Sequence, residues 1–293
     1  MIDVVDDSYL EKSFLIIVSA IYIERVERLG MLMEKKMDHT MAQHRRENSK
    51  KPKLLILPGM VCNERSWTEQ FQALIADIDC HIVDYGLHNS MPKMAAHIYK
   101  QHMNDSFMIM GHSMGARVAM ELYHLAPNQV KGMCLISTEH LAAPDGEKGK
   151  LESLNRQRLL QIAEEKGMAE MAKSWLPHLI PETRRSDALL TDEIIKMISE
   201  HSIMQLASHI DAGSTRTDST EILKSINVPT LLIVGDRDVV RPVSIHQQMA
   251  ELVTDSQLLI ISDVGHLPTM EAPQQVNDAV KTWVHKCLTD FWK

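Results

Sequence analysis

Short runs of four to eight apolar residues recur along the chain, and most stretches between them carry a helical period. The runs are KLLIL (53–57), CHIVD (80–84), SFMIM (106–110), VKGMCLIS (130–137), TLLIVG (230–235) and QLLIIS (257–262). Each is too short for a helix and apolar on both faces, as strands of a sheet covered on both sides must be. Ser66-Trp67-Thr68-Glu69 reads as a capping box, and the helix behind it is expected to bury Trp67, Phe71, Leu74 and Ile75. Ser90, with Pro92 just inside, opens a second helix. A third runs from Met114 to about Leu125. A last one follows Pro273, with Val276, Ala279, Val280, Trp283, Val284 and Cys287 on one side.

Between the fourth and fifth strands, residues 139–225 form a helix-rich block without a strand. Met168, Met171, Trp175, Leu176, Leu179, Ile194, Ile195, Ile198, Met204 and Leu206 supply its apolar positions, most of them as its own core. Residues 1–50 read as a helix-prone extension that ends in a polar, basic linker. The pattern therefore predicts an α/β core (51–138 and 226–293), a helical insertion (139–225) and an N-terminal extension (1–50). The sheet should be mostly parallel, with helices on both faces.

Composition removes several functions. The 293 residues carry 31 basic and 39 acidic side chains, a net charge of −8. Only 4% are aromatic. Neither the charge nor the supply of stacking rings suits a nucleic-acid binder. The apolar stretch Phe14–Ile23 is too short to span a bilayer and follows acidic rather than basic residues, so neither stable membrane insertion nor a secretory signal is expected. Cys62, Cys80, Cys134 and Cys287 form no CxxC pair and read as buried small hydrophobes, compatible with a cytoplasmic location. The 15 histidines invite a search for metal, but no HExxH occurs. His97 and His102 stand five apart, off one helix face, and the H-x4-D string His140…Asp145 lacks context. No metal and no cofactor are implied.

In a parallel sheet, ligands bind at the carboxyl ends of the strands. The third strand ends in Gly111-His112-Ser113-Met114-Gly115, followed by a small-residue helix. This is the strand–turn–helix setting of a nucleophile elbow. Ser113 is then the nucleophile, and His112 packs behind it. A serine needs a base, and the base needs an orienting acid. His266 follows the sixth strand. Asp238 follows the fifth and has more reach than Asp236, which suits loop organisation; Glu139, after the fourth strand, is a third candidate acid. The oxyanion donors are expected to be the backbone N–H groups of Met114 and of Met60, beside Gly59. Gly59, Val61, Val239 and Leu267 are the expected apolar pocket.

These segments together resemble the α/β-hydrolase superfamily: LPGM at the oxyanion loop, GHSMG at the elbow, VGDRDVVRP at the acid loop and VGHLPTMEAPQQV at the histidine loop. The resemblance spans about residues 53–288 and is closest to small esterases and lactonases. Two positions depart from the common pattern. Pro58-Gly59 stands where many members have His-Gly, and Gly115-Ala116 stands where Gly-Gly is common. No N-terminal hairpin precedes the first strand, so the sheet should be of a shortened kind. The resemblance implies that residues 139–225 are a cap. It implies a serine hydrolase of a small or medium carboxylic ester, working through an acyl-enzyme without cofactor. Lactone, thioester or carbon–carbon bond hydrolysis, acyl transfer, and ligand binding without turnover are the alternatives.

Overall fold

The structure is a computed structural model and describes residues 51–291. The chain divides into two units, residues 1–51 and 52–293, and the expected helical extension lies outside the described residues. Six strands form one sheet: β1 (Lys53–Leu57), β2 (Asp79–Ile82), β3 (Phe107–His112), β4 (Val130–Ile136), β5 (Thr230–Gly235) and β6 (Ser256–Ile261). Their order is β2-β1-β3-β4-β5-β6, and every pairing is parallel. The chain reverses direction across the sheet between β1 and β3, which opens a crevice at their carboxyl ends.

Alternation along the strands assigns the two faces. Leu55, Leu57, Phe107, Ile109, Met133, Leu135 and Leu232 pack on one side, against α2 (Met91–Gln101), α3 (Met114–Leu125) and α9 (Val243–Leu252). Leu54, Ile56, Met108, Met110, Cys134, Ile136 and Leu231 pack on the other. They meet Leu74 of α1 (Thr68–Leu74), and Val276, Val280, Trp283 and Cys287 of α11 (Pro273–Phe291). Both faces are therefore apolar, and the sheet is wholly rather than mostly parallel.

Five helices lie between β4 and β5: α4 (Gly146–Lys166), α5 (Met168–Leu179), α6 (Ala188–Ser199), α7 (Ile203–Ser214) and α8 (Thr220–Ser225). α4–α7 share an apolar cluster, with Ala163, Met171, Ile194, Met197, Ile198 and Leu206, into which Val61 and Leu267 reach from the core. Met204, expected inside, is 62% exposed. A four-residue α10 (Pro268–Glu271) follows β6.

Local details differ from expectation in two places. The capping box at Ser66 does not form. Glu64–Trp67 is instead a 3-10 turn capped by Asn63, whose side chain accepts from the Arg65 N–H. The Ser66 hydroxyl donates back to the Asn63 carbonyl. α1 begins at Thr68, one residue later than that box requires and without a side-chain cap, and Ile75 is 45% exposed. The second strand starts at Asp79 and stops at Ile82, because the sheet edge pairs only there.

Candidate active site

Ser113 sits at φ 53°, a left-handed conformation unfavourable for a side-chain-bearing residue. Glycines on either side make that turn possible. A Cβ on Gly111 would lie 2.7 Å from the Ala116 backbone, and one on Gly115 would lie 2.1 Å from the Leu57 carbonyl oxygen of β1. α3 therefore begins flush against the strands, with the Ser113 hydroxyl raised at the carboxyl edge.

Three side chains from three loops meet there. The Ser113 Oγ lies 3.0 Å from the His266 Nε2, and the His266 Nδ1 lies 2.9 Å from Asp238 Oδ2. The other carboxylate oxygen of Asp238 accepts the N–H groups of Val240 (2.9 Å) and Arg241 (2.8 Å). Burial pushes the Asp238 carboxyl up. The facing imidazole and these hydrogen bonds outweigh that, and its pKa falls below the ordinary value. A carboxylate held ionised fixes the Nδ1–H tautomer, which leaves Nε2 as acceptor for the serine proton.

The other two candidate acids point elsewhere. Asp236 accepts from the Asp263 N–H (2.7 Å) and the Ser262 hydroxyl (3.2 Å), which organises the loop after β6. Glu139 faces Arg216 (2.8 Å) and Arg241 (2.9 Å).

The backbone around His266 is held on every side. Its N–H donates to the Leu179 carbonyl at 2.7 Å. Its carbonyl accepts from His112 Nε2 at 2.7 Å. The flanking N–H groups of Gly265 and Leu267 each donate to one oxygen of Glu271, both at 2.9 Å. Burial raises the Glu271 pKa to about 7 despite those two donors.

His112, His209 and His246 are three buried imidazoles that tie loops. His209 Nδ1 accepts the Val61 N–H at 3.1 Å, and His246 Nε2 accepts the Thr138 N–H at 3.0 Å. Burial holds their pKa values down, to about 3 for His112 and about 4 for the others. Neutral rings are what these acceptor roles require. The role of His112 was anticipated. Those of Glu271, His209 and His246 were not, because each partner is fixed only by the fold.

The Ser113 hydroxyl opens into a cavity of about 580 Å³ between the strand ends and the insertion. Met60, Met114, Val239 and Leu267 line it; Gly59 and Val61, expected at the pocket, stand behind its wall. Val61 is fully buried in the insertion's cluster. Gly59 makes room for His112, since a Cβ there would lie 2.6 Å from that ring. Cys62 also lines the cavity, but burial pushes its thiol up to about 12, so it supplies no thiolate. Among the described residues, no group of three or more His, Cys, Asp or Glu is placed to hold a metal ion. Among the same residues, no helix is long and apolar enough to cross a membrane.

A parallel sheet with a strained serine at its edge, backed by imidazole and carboxylate, defines an α/β-hydrolase enzyme. The chain belongs to the family described as serine aminopeptidase, S33, which it matches over residues 58–273. It is similar to the pimeloyl-(acyl-carrier protein) methyl ester esterase of Neisseria meningitidis, with 23% identity over 74% of this chain and 87% of that protein. It is also similar to the biotin biosynthesis bifunctional protein BioHC of Cellvibrio japonicus (23% identity, 82% of this chain). The chain spans only 49% of that bifunctional protein. Among solved structures, a thermophilic esterase from Thermogutta terrifontis aligns with a TM-score of 0.71 and 25% identity, covering 80% of this chain and 90% of that one. The enol-lactonase of Burkholderia xenovorans shares the fold, with a TM-score of 0.70 and 15% identity over 80% and 92% of the two chains.

Proposed function

We propose that this chain is a serine hydrolase that cleaves a small or medium carboxylic ester through an acyl-enzyme. The observation that carries the reading is the unbroken line from the Ser113 hydroxyl through His266 to Asp238, opening on the cavity. His266 takes the Ser113 proton as Oγ attacks the ester carbonyl. Asp238 stabilises the imidazolium that results. The oxyanion is received by the backbone N–H groups of Met60 and Met114. Met114 is the first residue of α3, so its N–H has no partner within the helix. The protonated imidazole then gives its proton to the leaving alcohol. Water, activated by His266, releases the acid and restores Ser113. No cofactor enters any of these steps.

The ester preference draws on the esterases among the relatives and on the apolar wall of Met60, Met91, Leu159, Ile162, Trp175 and Leu267. The insertion serves as a cap that shields the acyl-enzyme from bulk water. A small-molecule ester is the expected partner. The test is hydrolysis of p-nitrophenyl esters of increasing chain length, with Ser113→Ala as control and a fluorophosphonate as probe. Ser113-dependent turnover and labelling are expected. Loss of both would leave a binding protein without turnover.

A further inference from the structure

The chain as a whole is acidic, yet its cavity is not. Five arginines line it (Arg117, Arg156, Arg158, Arg216 and Arg241), and Glu152 is the only acidic side chain among the lining residues. Glu139, just behind, adds a second carboxylate. These two acids are shared among three of the arginines. Glu152 meets both terminal nitrogens of Arg216, at 2.5 and 3.0 Å, and Arg156 at 2.6 Å. Glu139 meets Arg216 and Arg241.

The remaining two guanidinium groups hydrogen-bond no carboxylate, and Glu139, Glu121 and Asp218 act on Arg117 only through space. Arg117 is nearly fully buried and donates only to backbone carbonyls, those of Glu139 (3.0 Å), Leu141 (3.1 Å) and Thr217. Arg158 is exposed on the cavity and makes no hydrogen bond or ion pair among the described residues. Among the described residues, Arg158 is thus the one lining guanidinium that no other residue engages. A guanidinium left open beside an apolar wall is free to pair with an anion that a ligand brings.

The shape of the site shows how an anion would enter. On α4, the cavity-lining residues Glu152, Asn155, Arg156, Leu159 and Ile162 fall at helical spacing along one face, with Arg158 at its edge. That face is charged in its first half and apolar in its second. Arg156 is seated deliberately within it. Its Nη1 donates to the Ser214 hydroxyl at 3.1 Å, and a Cβ on Gly213 would come within 2.9 Å of the same nitrogen. One wall of the cavity therefore offers an apolar strip that ends in fixed and free cations.

We infer that the substrate's acyl chain ends in an anionic group, a carboxylate or a phosphate, received by Arg158. The chain lies along Leu159 and Ile162, and the anion gives Arg158 the partner that no described residue supplies. Guanidinium suits this role because its planar donors pair with either oxyanion in a bidentate manner. The inference rests on the ester-hydrolase reading for its reaction but not for its binding.

The experiment therefore has two arms. Calorimetric titration of Ser113→Ala with monomethyl suberate, monooctyl phosphate and neutral dimethyl suberate reads binding without turnover. At least one anion should bind about tenfold more tightly than the diester, and the tighter of the two names the anion's source. The preference should shrink as salt rises and be lost when Arg158→Gln is added. In the second arm, kcat/KM for p-nitrophenyl hydrogen suberate is divided by that for p-nitrophenyl methyl suberate. The ratio should exceed one, fall about tenfold in Arg158→Gln and drop below one in Arg158→Glu. Binding of both anions no tighter than the diester, or a ratio at or below one in the unmodified protein, overturns the anion site. Absence of all turnover and of fluorophosphonate labelling, with anion binding intact, overturns the hydrolase reading alone.

Discussion

The backbone N–H of His266 donates to the carbonyl oxygen of Leu179, the last residue of α5, at 2.7 Å. The imidazole that faces Ser113 is thereby bonded through its main chain to the helical insertion. The insertion thus anchors the loop that carries His266.

Gly265 is what lets the two segments meet. A Cβ there would lie 2.6 Å from the Leu179 oxygen and 3.0 Å from the Ile180 Cα. Gly265→Ala should lower kcat by tenfold or more and cost about 1–3 kcal/mol of stability, as overpacking does. Leu179→Ala keeps the carbonyl and should retain more of kcat. Equal kcat in Gly265→Ala and the unmodified protein would show that the contact does not position the ring.

The two aspartates after β5 should separate cleanly. Asp238→Asn removes the charge that fixes the tautomer of His266 and should cost about 10⁴ in kcat. Asp236→Asn keeps a side-chain acceptor for the Asp263 N–H and should change kcat far less. Steady-state rates with one p-nitrophenyl ester decide this. A larger loss in Asp236→Asn would reassign the acid.

Glu271, with its pKa near 7, should report on the histidine loop. When ionised, its two oxygens accept from Gly265 and Leu267; when protonated, one of those donors loses its full partner. The charges around it are Arg184, which favours ionisation, and Asp238, which opposes it. The amide NMR shifts of Gly265 and Leu267 should titrate together near pH 7. In Glu271→Gln that titration should vanish, with kcat reduced across the whole pH range.

Acid should destabilise the fold through its neutral histidines. His112, His209 and His246 have folded pKa values of about 3 to 4, against an ordinary 6.5. The unfolded chain binds three protons below 6.5 that the folded chain refuses, so their stability is present above that pH and is lost as pH falls toward 4. Glu271 acts oppositely. Its folded pKa is raised, so the folded chain holds the extra proton, and its contribution declines as pH rises from 4.5 to 7. Between pH 6.5 and 4.5 the histidines win by two protons, a loss of up to about 3 kcal/mol per pH unit. Urea unfolding at pH 7, 6 and 5 measures the slope. His246→Gln should remove about one proton from it, and a flat profile would contradict the neutral-ring assignment.

Much of this was legible in the amino-acid order. The strands were, because a covered parallel sheet demands apolar residues on both faces, and α3 begins and ends where its pattern says. The elbow was, because Gly111 and Gly115 mark places where backbones touch. Asp238, His266 and Ser113 each follow a strand, so one sheet edge gathers them. The capping box at Ser66 failed because the Ser66 hydroxyl donates to the Asn63 carbonyl within a 3-10 turn, which the local pattern does not show.

Tertiary structure alone decided the rest. Glu271 reads as an ordinary residue of a short helix until two N–H groups point at it. His209 and Val61 lie 148 positions apart, as do no neighbours a motif could list. Arg117, Arg156, Arg158, Arg216 and Arg241 come from α3, α4 and the loops after α7 and β5, scattered through a chain whose acidic total conceals them. Sequence determines which chemistry stands at the end of each strand, since strand and loop are local. Which charges share one cavity depends on how distant segments pack, and no spacing along the chain encodes that distance.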